Sequence, residues 1–311
     1  MSILVTGGCG FIGSHLVEEL LHRGKEIQVI GLQCQLENLE SVKGRIEFIR
    51  ADIRDRDAIN RAIGSDIEGV LHLAALINVD QSVRSPEVFF DTNVTANINI
   101  MEVVRKKKIP KLTYMSTCEV YGNIPRGKAD ENHPTNPRSP YAASKFAAER
   151  YLLAYSYTYN EPKITIIRAF NQYGPRQSAG QYGAVIPKFI MKLLNGQKIQ
   201  IHGEGNQTRD YAYVKDTVKG IADAFEKNLP SGEVINLSTG VETSIRDIAV
   251  AVCKLTGKDS EKYIEFVKDR PGQLMRSCGD SSKAKKLLGW EPEVSFEQGL
   301  PLTFDWYARK I

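Results

Sequence analysis

The sequence predicts an α/β fold, a doubly wound parallel sheet with a smaller C-terminal lobe. Three observations predict it. Apolar, β-branched runs alternate with helical segments through the first half. A glycine-rich turn, "TGGCGFIG", directly follows the first of those runs. After residue 175 the alternation loosens.

The elements follow in order. "SILVTGG" is a short apolar strand closed by glycines, and "FIGSHLVEELLHRG" has apolar residues at helical spacing until Gly24 stops it. "EIQVIGL", "IEFIRADI" and "GVLHLAA" read as the next three strands, then "KLTYMST" and "KITIIRAF". Further on, "AVIPKFIMKLLNGQ" reads as a helix, "IQIHGEGNQTRDYAYVKD" as strand, turn and strand, and "SIRDIAVAVCKLTG" as a helix. The expected division is a dinucleotide-binding domain over 1–175 and a substrate lobe over 176–311, from which the chain is free to recross to the sheet.

Composition narrows the function. The chain has 311 residues, 42% hydrophobic and 25% charged, which is the balance of a soluble globular protein. Its net charge of +4 is too mild to argue for nucleic acid, and the basic run "RKKKIPK" ends a helix and leads into a strand. No apolar run reaches transmembrane length, and the N-terminus enters a strand at once, leaving no room for a signal peptide. Five cysteines without a CxxC indicate neither a disulfide framework nor a zinc site, so reduced thiols and a cytoplasmic location are expected. The five histidines are scattered and predict no metal.

The glycine motif carries the first chemistry. Gly7, Gly10 and Gly13 permit a tight turn, close approach of backbone to a pyrophosphate, and close helix–strand packing; the helix N-terminus then faces the phosphates. A strand before it and an amphipathic helix after it are the context of a Rossmann-type dinucleotide site. The next strand should end on an acid for the adenosine ribose, but "VIGLQCQ" has Gly31 there. Gln33 can bond a ribose hydroxyl, and no arginine stands ready for a 2′-phosphate. NAD is expected, with NADP left open. Asp52 is placed to meet the adenine amino group. In "HLAA", Leu73, Ala74 and Ala75 end a strand with small residues that let a cofactor lie close.

"YAASK" puts Tyr141 and Lys145 four residues apart, on one face of a helix. A tyrosine serves as a base near neutral pH when a neighbouring cation stabilises its phenolate. With "TGGCGFIG", "HLAA", "NVTANINIMEV", "STCEVYG", "RAFNQYGP", "RDYAYVKD" and "DRPGQ" in this order and spacing, nearly the whole chain resembles the extended short-chain dehydrogenase/reductases. These are the NAD(P)-dependent nucleotide-sugar epimerases and dehydratases. The resemblance implies that Tyr141 deprotonates the sugar C4 hydroxyl while hydride passes to the nicotinamide. Lys145 would bind the nicotinamide ribose and Thr117 the C4 oxygen. Phe11, Ile12, Ile53, Asn93 and Arg168 would join the cofactor site. Asn171, Arg209 and Arg270 would hold the nucleotide diphosphate, for which guanidinium forks are suited, and Val185 would join the substrate site. Relatives also pair two helices of each subunit into a four-helix bundle. The stretches "NVTANINIMEVVRK" and "SPYAASKFAAERYLLAYSYTY" carry the apolar surplus for such a homodimer.

The segment "STCEVYG" divides the family's reactions. A 4-epimerase needs no further acid or base once the 4-keto sugar has formed, whereas a 4,6-dehydratase must take the C5 proton and expel the C6 hydroxyl. Many dehydratases carry Asp-Glu after the threonine; this chain has Cys118 and Glu119. Glu119 fits a C5 base, and the heptapeptide also resembles that of UDP-N-acetylglucosamine 5,6-dehydratase. The missing Asp and the short chain favour an epimerase. Ser277 falls where 4-epimerases wall the sugar C2 substituent, and a serine leaves room for an N-acetyl group. The expectation is a 4-epimerase of UDP-N-acetylglucosamine/galactosamine, extending to UDP-glucose/galactose. A dehydratase and a non-catalytic NAD(P)-binding scaffold are the rivals.

Overall fold

The computed structural model describes residues 1–32, 36–180, 183–269 and 274–310. The strands are β1 (Ser2–Thr6), β2 (Ile27–Gly31), β3 (Ile46–Arg50), β4 (Ile67–His72), β5 (Lys111–Thr117), β6 (Lys163–Ala169), β7 (Asn171–Tyr173), β8 (Ile199–His202), β9 (Thr208–Tyr213), β10 (Glu233–Leu237), β11 (Glu242–Ser244), β12 (Ile264–Val267) and β13 (Arg276–Ser277). The helices are α1 (Phe11–His22), α2 (Arg56–Ala62), α3 (Val79–Arg84), α4 (Pro86–Phe90), α5 (Ala96–Lys106), α6 (Pro140–Thr158), α7 (Val185–Leu194), α8 (Val214–Glu226), α9 (Ile245–Leu255), α10 (Ser260–Tyr263), α11 (Ser282–Leu288) and α12 (Phe296–Ala308).

A seven-stranded parallel sheet, ordered β10-β6-β5-β4-β1-β2-β3, forms the body. Its central strands are continuous apolar runs because helices cover both faces. On one face Leu16, Val17 and Leu20 of α1 pack with Val218, Ile221 and Phe225 of α8; on the other Ile100 and Val104 of α5 pack with Leu152 of α6. The strand order reverses between β1 and β4, so a crevice opens beyond their C-terminal ends. The seventh strand, β10, comes from the last third of the chain, as does α8, so the chain recrosses to the sheet after residue 176.

The smaller lobe has its own core, in which Ile186, Phe189 and Ile190 of α7 meet Ile248 and Val252 of α9 and an aromatic set of Tyr173, Tyr211, Tyr213 and Phe296. Its β9 connects β7, β11 and β13 and brings Arg209 to the crevice. Among the described residues no helix is long and apolar enough to cross a membrane, and no group of three or more His, Cys, Asp or Glu could hold a metal ion.

Candidate active site

A cleft of about 1070 Å³ runs from the β1–α1 turn, past the end of β5, to α7 and β9. Its dinucleotide end is built from backbone. Gly7 has φ +71°, and a Cβ there would lie 2.8 Å from the Ala74 nitrogen. At Gly13 a Cβ would lie 2.1 Å from the Gly7 carbonyl oxygen. The turn is therefore closed to side chains at both points. Gly10 precedes α1 without a side-chain cap, so the N–H groups of Phe11, Ile12 and Gly13 begin the helix at the cleft wall. Thr6 fixes the two central strand ends: its hydroxyl lies 2.6 Å from His72 Nδ1 and accepts the Ala74 N–H at 3.2 Å. Leu73, Ala74 and Ala75 line the cleft beside it. These features fit a dinucleotide, with a bare turn and a helix terminus for the pyrophosphate.

At the adenosine end Gly31 lines the cleft, and a Cβ there would meet only the Phe48 ring at 3.8 Å. Asp52 and Ile53 line it too, with the Asp52 carboxylate clasped by Arg54 Nη2 at 2.6 Å and its backbone N–H at 2.9 Å. That clasp holds Asp52 below the usual carboxylate range. Gln33 and Arg270 lie outside the described residues.

The catalytic end is built from side chains. Thr117 ends β5, and its hydroxyl accepts the Glu119 N–H at 3.2 Å, capping the short turn that follows. Tyr141 sits in the first turn of α6, started by Ser139 and Pro140, and its hydroxyl is hydrogen-bonded to Thr117. Burial raises the Tyr141 phenol well above its ordinary value; the Thr117 bond works against that rise and Glu119 adds to it. Lys145, one turn on, is 3% exposed, and its ammonium lies 4.2 Å from the centre of the Tyr114 ring. Burial brings it down to about 7, opposed by Glu149. Glu119 lines the cleft with its carboxyl raised by burial and lowered by Arg209. The Cys118 thiol is raised by burial and by Glu119, and lowered by a hydrogen bond to Ser277. Asn171, whose side-chain oxygen is buried without a hydrogen-bond partner, lines the far part with Val185 and Arg209.

Three expected contacts lie elsewhere. Arg168 does not line the cleft: it is 3% exposed and its guanidinium grips Glu149 at 2.8 Å. A buried arginine needs a counter-ion, and Glu149 supplies it. Asn93, 3% exposed, spends its amide on the Leu76 backbone N–H and C=O and on Ser144 Oγ, each at 2.9 Å. It fastens the loop after β4 to α6. Ser277 is 3% exposed, is not among the residues lining the cleft, and is hydrogen-bonded to the Cys118 thiol, which does line it. Conversely, Arg138 and Lys188 line the cleft unforeseen. Lys188 lies three residues after Val185 on α7, and that helical spacing was the available signal.

The comparisons with known proteins agree with this geometry. A family model described as GDP-mannose 4,6 dehydratase matches residues 4–303. The chain belongs to the extended short-chain dehydrogenase/reductase family of nucleotide-sugar epimerases and dehydratases. Within that family it is 38% identical to a UDP-glucose 4-epimerase of Mycolicibacterium smegmatis, covering 100% of this chain and 99% of the relative. The structure of a UDP-glucose 4-epimerase of Thermus thermophilus in complex with NAD superposes with a TM-score of 0.92 at 36% identity, over 100% of both chains. A dTDP-glucose 4,6-dehydratase of Streptomyces venezuelae, also solved with NAD bound, gives 0.93 at 33% identity, covering 99% of this chain and 97% of the other. Family membership thus spans both reactions.

Proposed function

We propose that this chain is an NAD-dependent 4-epimerase of UDP-sugars, acting on UDP-N-acetylglucosamine/galactosamine and also on UDP-glucose/galactose. The observation that carries the reading is the make-up of the catalytic end: Thr117, Tyr141 and Lys145 converge there with Glu119, and the residue next to that carboxyl is a thiol that burial keeps neutral. With hydride exchange supplied by the coenzyme, oxidation and re-reduction at C4 need from the side chains only Tyr141, to take the O4 proton and give it back. Expulsion of a C6 hydroxyl needs a proton donor as well as a C5 base, and a buried thiol is a poor donor.

The turn of Gly7, Gly10 and Gly13 with the start of α1 would hold NAD, which would supply reversible hydride exchange with C4. The chain's own residues do the rest. Tyr141 is protonated in the free protein because burial disfavours phenolate. It becomes a base when positive charge gathers around it, from the Lys145 ammonium and the oxidised coenzyme. Thr117 accepts or donates at the same oxygen and keeps the hydroxyl aligned. Arg209, with Arg138 and Lys188, supplies positive charge for the diphosphate, and Asn171 offers a polar atom that lacks a protein partner.

One observation favours a dehydratase as the second reading. The Glu119 carboxyl is half-buried, acts on Tyr141, and is raised by burial in the direction that suits a general base. Proton NMR of UDP-N-acetylglucosamine incubated with the enzyme and NAD separates the two, since a C4 epimer and a dehydrated sugar have distinct spectra. A homodimer is the assembly proposed. Most apolar residues of α5 are buried, with Ile98 partly exposed, and the larger surplus lies on α6 and its neighbours, with Tyr157 80%, Tyr151 50%, Val83 65% and Phe90 56% exposed. Light scattering at micromolar concentration should give twice the 34.7 kDa chain mass; a monomer alone would refute the pairing.

A further inference from the structure

The catalytic wall is backed by charges that the reaction above leaves unused. Glu149 lies one turn beyond Lys145 on α6 and is fully buried. Its carboxylate accepts from Arg168 Nε at 3.1 and 3.2 Å, from Arg168 Nη2 at 2.8 Å, and from the Ser116 hydroxyl. Arg168 also donates to the Tyr121 hydroxyl at 3.0 Å, which donates to Asn236 at 2.7 Å. The carboxylate is thereby fixed by β5 and β6, and through Tyr121 by β10. Stability alone does not explain such a pair, because apolar residues of the same volume often serve as well.

The surroundings of Lys145 suggest what it is for. The ammonium lies against Tyr114 from β5, one turn after Tyr141 and one turn before Glu149 on α6; His72 from β4 and Glu149 interact with it electrostatically, and Arg168 from β6 stands behind Glu149. His72 is neutral, driven down to about 3 by burial and by Lys145 itself. Burial likewise keeps the Tyr114 and Tyr141 phenols protonated. Glu149 is the one anion in the set. We propose that Glu149 is a positioning residue that keeps Lys145 in its ammonium form, with Arg168 and Ser116 holding the carboxylate where its field reaches that amine. The two groups act through space, with no bond between them. The poise of Lys145 makes the effect count: at about 7 it is half-ionised at neutral pH, and a further fall of about one pH unit would leave roughly a tenth as ammonium.

The proposal rests on Lys145 serving Tyr141, but its test reads Lys145 directly in the ligand-free protein. Acetic anhydride acetylates only the free amine. Brief labelling across a pH series, with the Lys145 peptide quantified by mass spectrometry, gives the midpoint of its ionisation. In Glu149→Gln the midpoint should fall by about one pH unit or more; an unmoved midpoint overturns the proposal. Should that variant not fold because Arg168 is left unpaired, Glu149→Gln/Arg168→Gln removes both charges and keeps the hydrogen-bonding reach. Arg168 stands behind Glu149, so the nearer anion outweighs it: a smaller fall in the same direction is expected there, and an unmoved or raised midpoint is again fatal. If neither variant shows a cooperative thermal melt, the pair is a structural staple and the proposal is wrong. The base assignment is tested apart from this, by Tyr141→Phe turnover, so an active Tyr141→Phe enzyme would refute that assignment while the labelling midpoint still decides the role of Glu149.

Discussion

The two ends of the cleft are made differently. The dinucleotide end is backbone: a turn too tight for a Cβ at Gly7 and Gly13, a bare helix terminus, and small residues after β4. The catalytic end is polar side chains, Tyr141 and Lys145 buried and Glu119 half-buried, each shifted by burial against its charged form. The first end works by leaving room and the second by holding groups that would be more comfortable in water. Damage to the first should therefore be steric and felt in binding, and damage to the second electrostatic and felt in rate, with a gain in stability where a buried charge is removed.

The largest expected effect is at the catalytic end. Tyr141→Phe keeps the ring and removes the proton acceptor, so turnover should fall by about 10²–10⁴-fold. Coenzyme and UDP binding, followed by calorimetry, should stay within a few-fold of wild type. Turnover near the wild-type rate would show that Tyr141 is not the base.

Gly13→Ala tests the backbone end. The new methyl would press on the Gly7 carbonyl at 2.1 Å and on the Gly8 Cα at 2.8 Å, so the turn itself must move. Overpacking of this kind costs roughly 1–3 kcal/mol. NAD affinity should drop by about tenfold or more, since that cost falls on the turn that receives the pyrophosphate. Unchanged affinity would show that the turn is not the cradle.

Lys145→Met should reverse the usual sign of a core substitution. Below about pH 7 the folded chain carries the ammonium into a buried site, at a cost set by the gap between about 7 and the ordinary 10.5. Between those values the unfolded chain holds a proton that the folded chain sheds, so wild-type stability rises with pH. The ligand-free Met variant should therefore be more stable than wild type by up to a few kcal/mol below pH 7, an advantage fading towards pH 10.5. Urea unfolding at both ends of that window checks it. A difference that does not change with pH would place the effect in packing instead.

The same contrast explains what could be read from the sequence. Backbone devices have local signatures: "TGGCGFIG" names its own turn, and strand–helix alternation names the sheet. Tyr141 and Lys145 are legible because helical spacing places them on one face. Arg168, Asn93 and Ser277 read as ligand contacts by family resemblance, but each is a polar residue whose partner lies far along the chain. Arg168 meets Glu149, Asn93 meets Leu76 and Ser144, and Ser277 meets Cys118. Nothing local distinguishes a polar residue facing a ligand from one facing a buried partner. Glu149 had a signal, since it continues the Tyr141–Lys145 spacing by one more turn, but its burial is a tertiary fact. The return of β10 to the sheet was similarly indistinct, because a short apolar run after a loosened pattern does not say which sheet it joins.

The smallest effect is expected at Glu119, where it is most informative. Glu119→Gln keeps size and hydrogen-bonding reach and gives up the ability to take a proton. An epimerase never needs chemistry at C5, so the variant should interconvert C4 epimers within a few-fold of the wild-type rate. Removing the carboxyl also removes an anion that raises Tyr141, so its phenol should ionise a little more readily. The lower-pH limb of the rate profile should then move slightly towards acid. Deuterated water gives the independent reading. In an epimerase the C5 hydrogen stays in place in both proteins, whereas a dehydratase exchanges it through Glu119 and ceases to do so in the Gln variant. Deuterium at C5 of recovered sugar, lost on substitution, would move Glu119 from bystander to base and the enzyme from epimerase to dehydratase. The catalytic end would then hold two working bases, Tyr141 for the C4 hydroxyl and Glu119 for C5, both raised by the same burial.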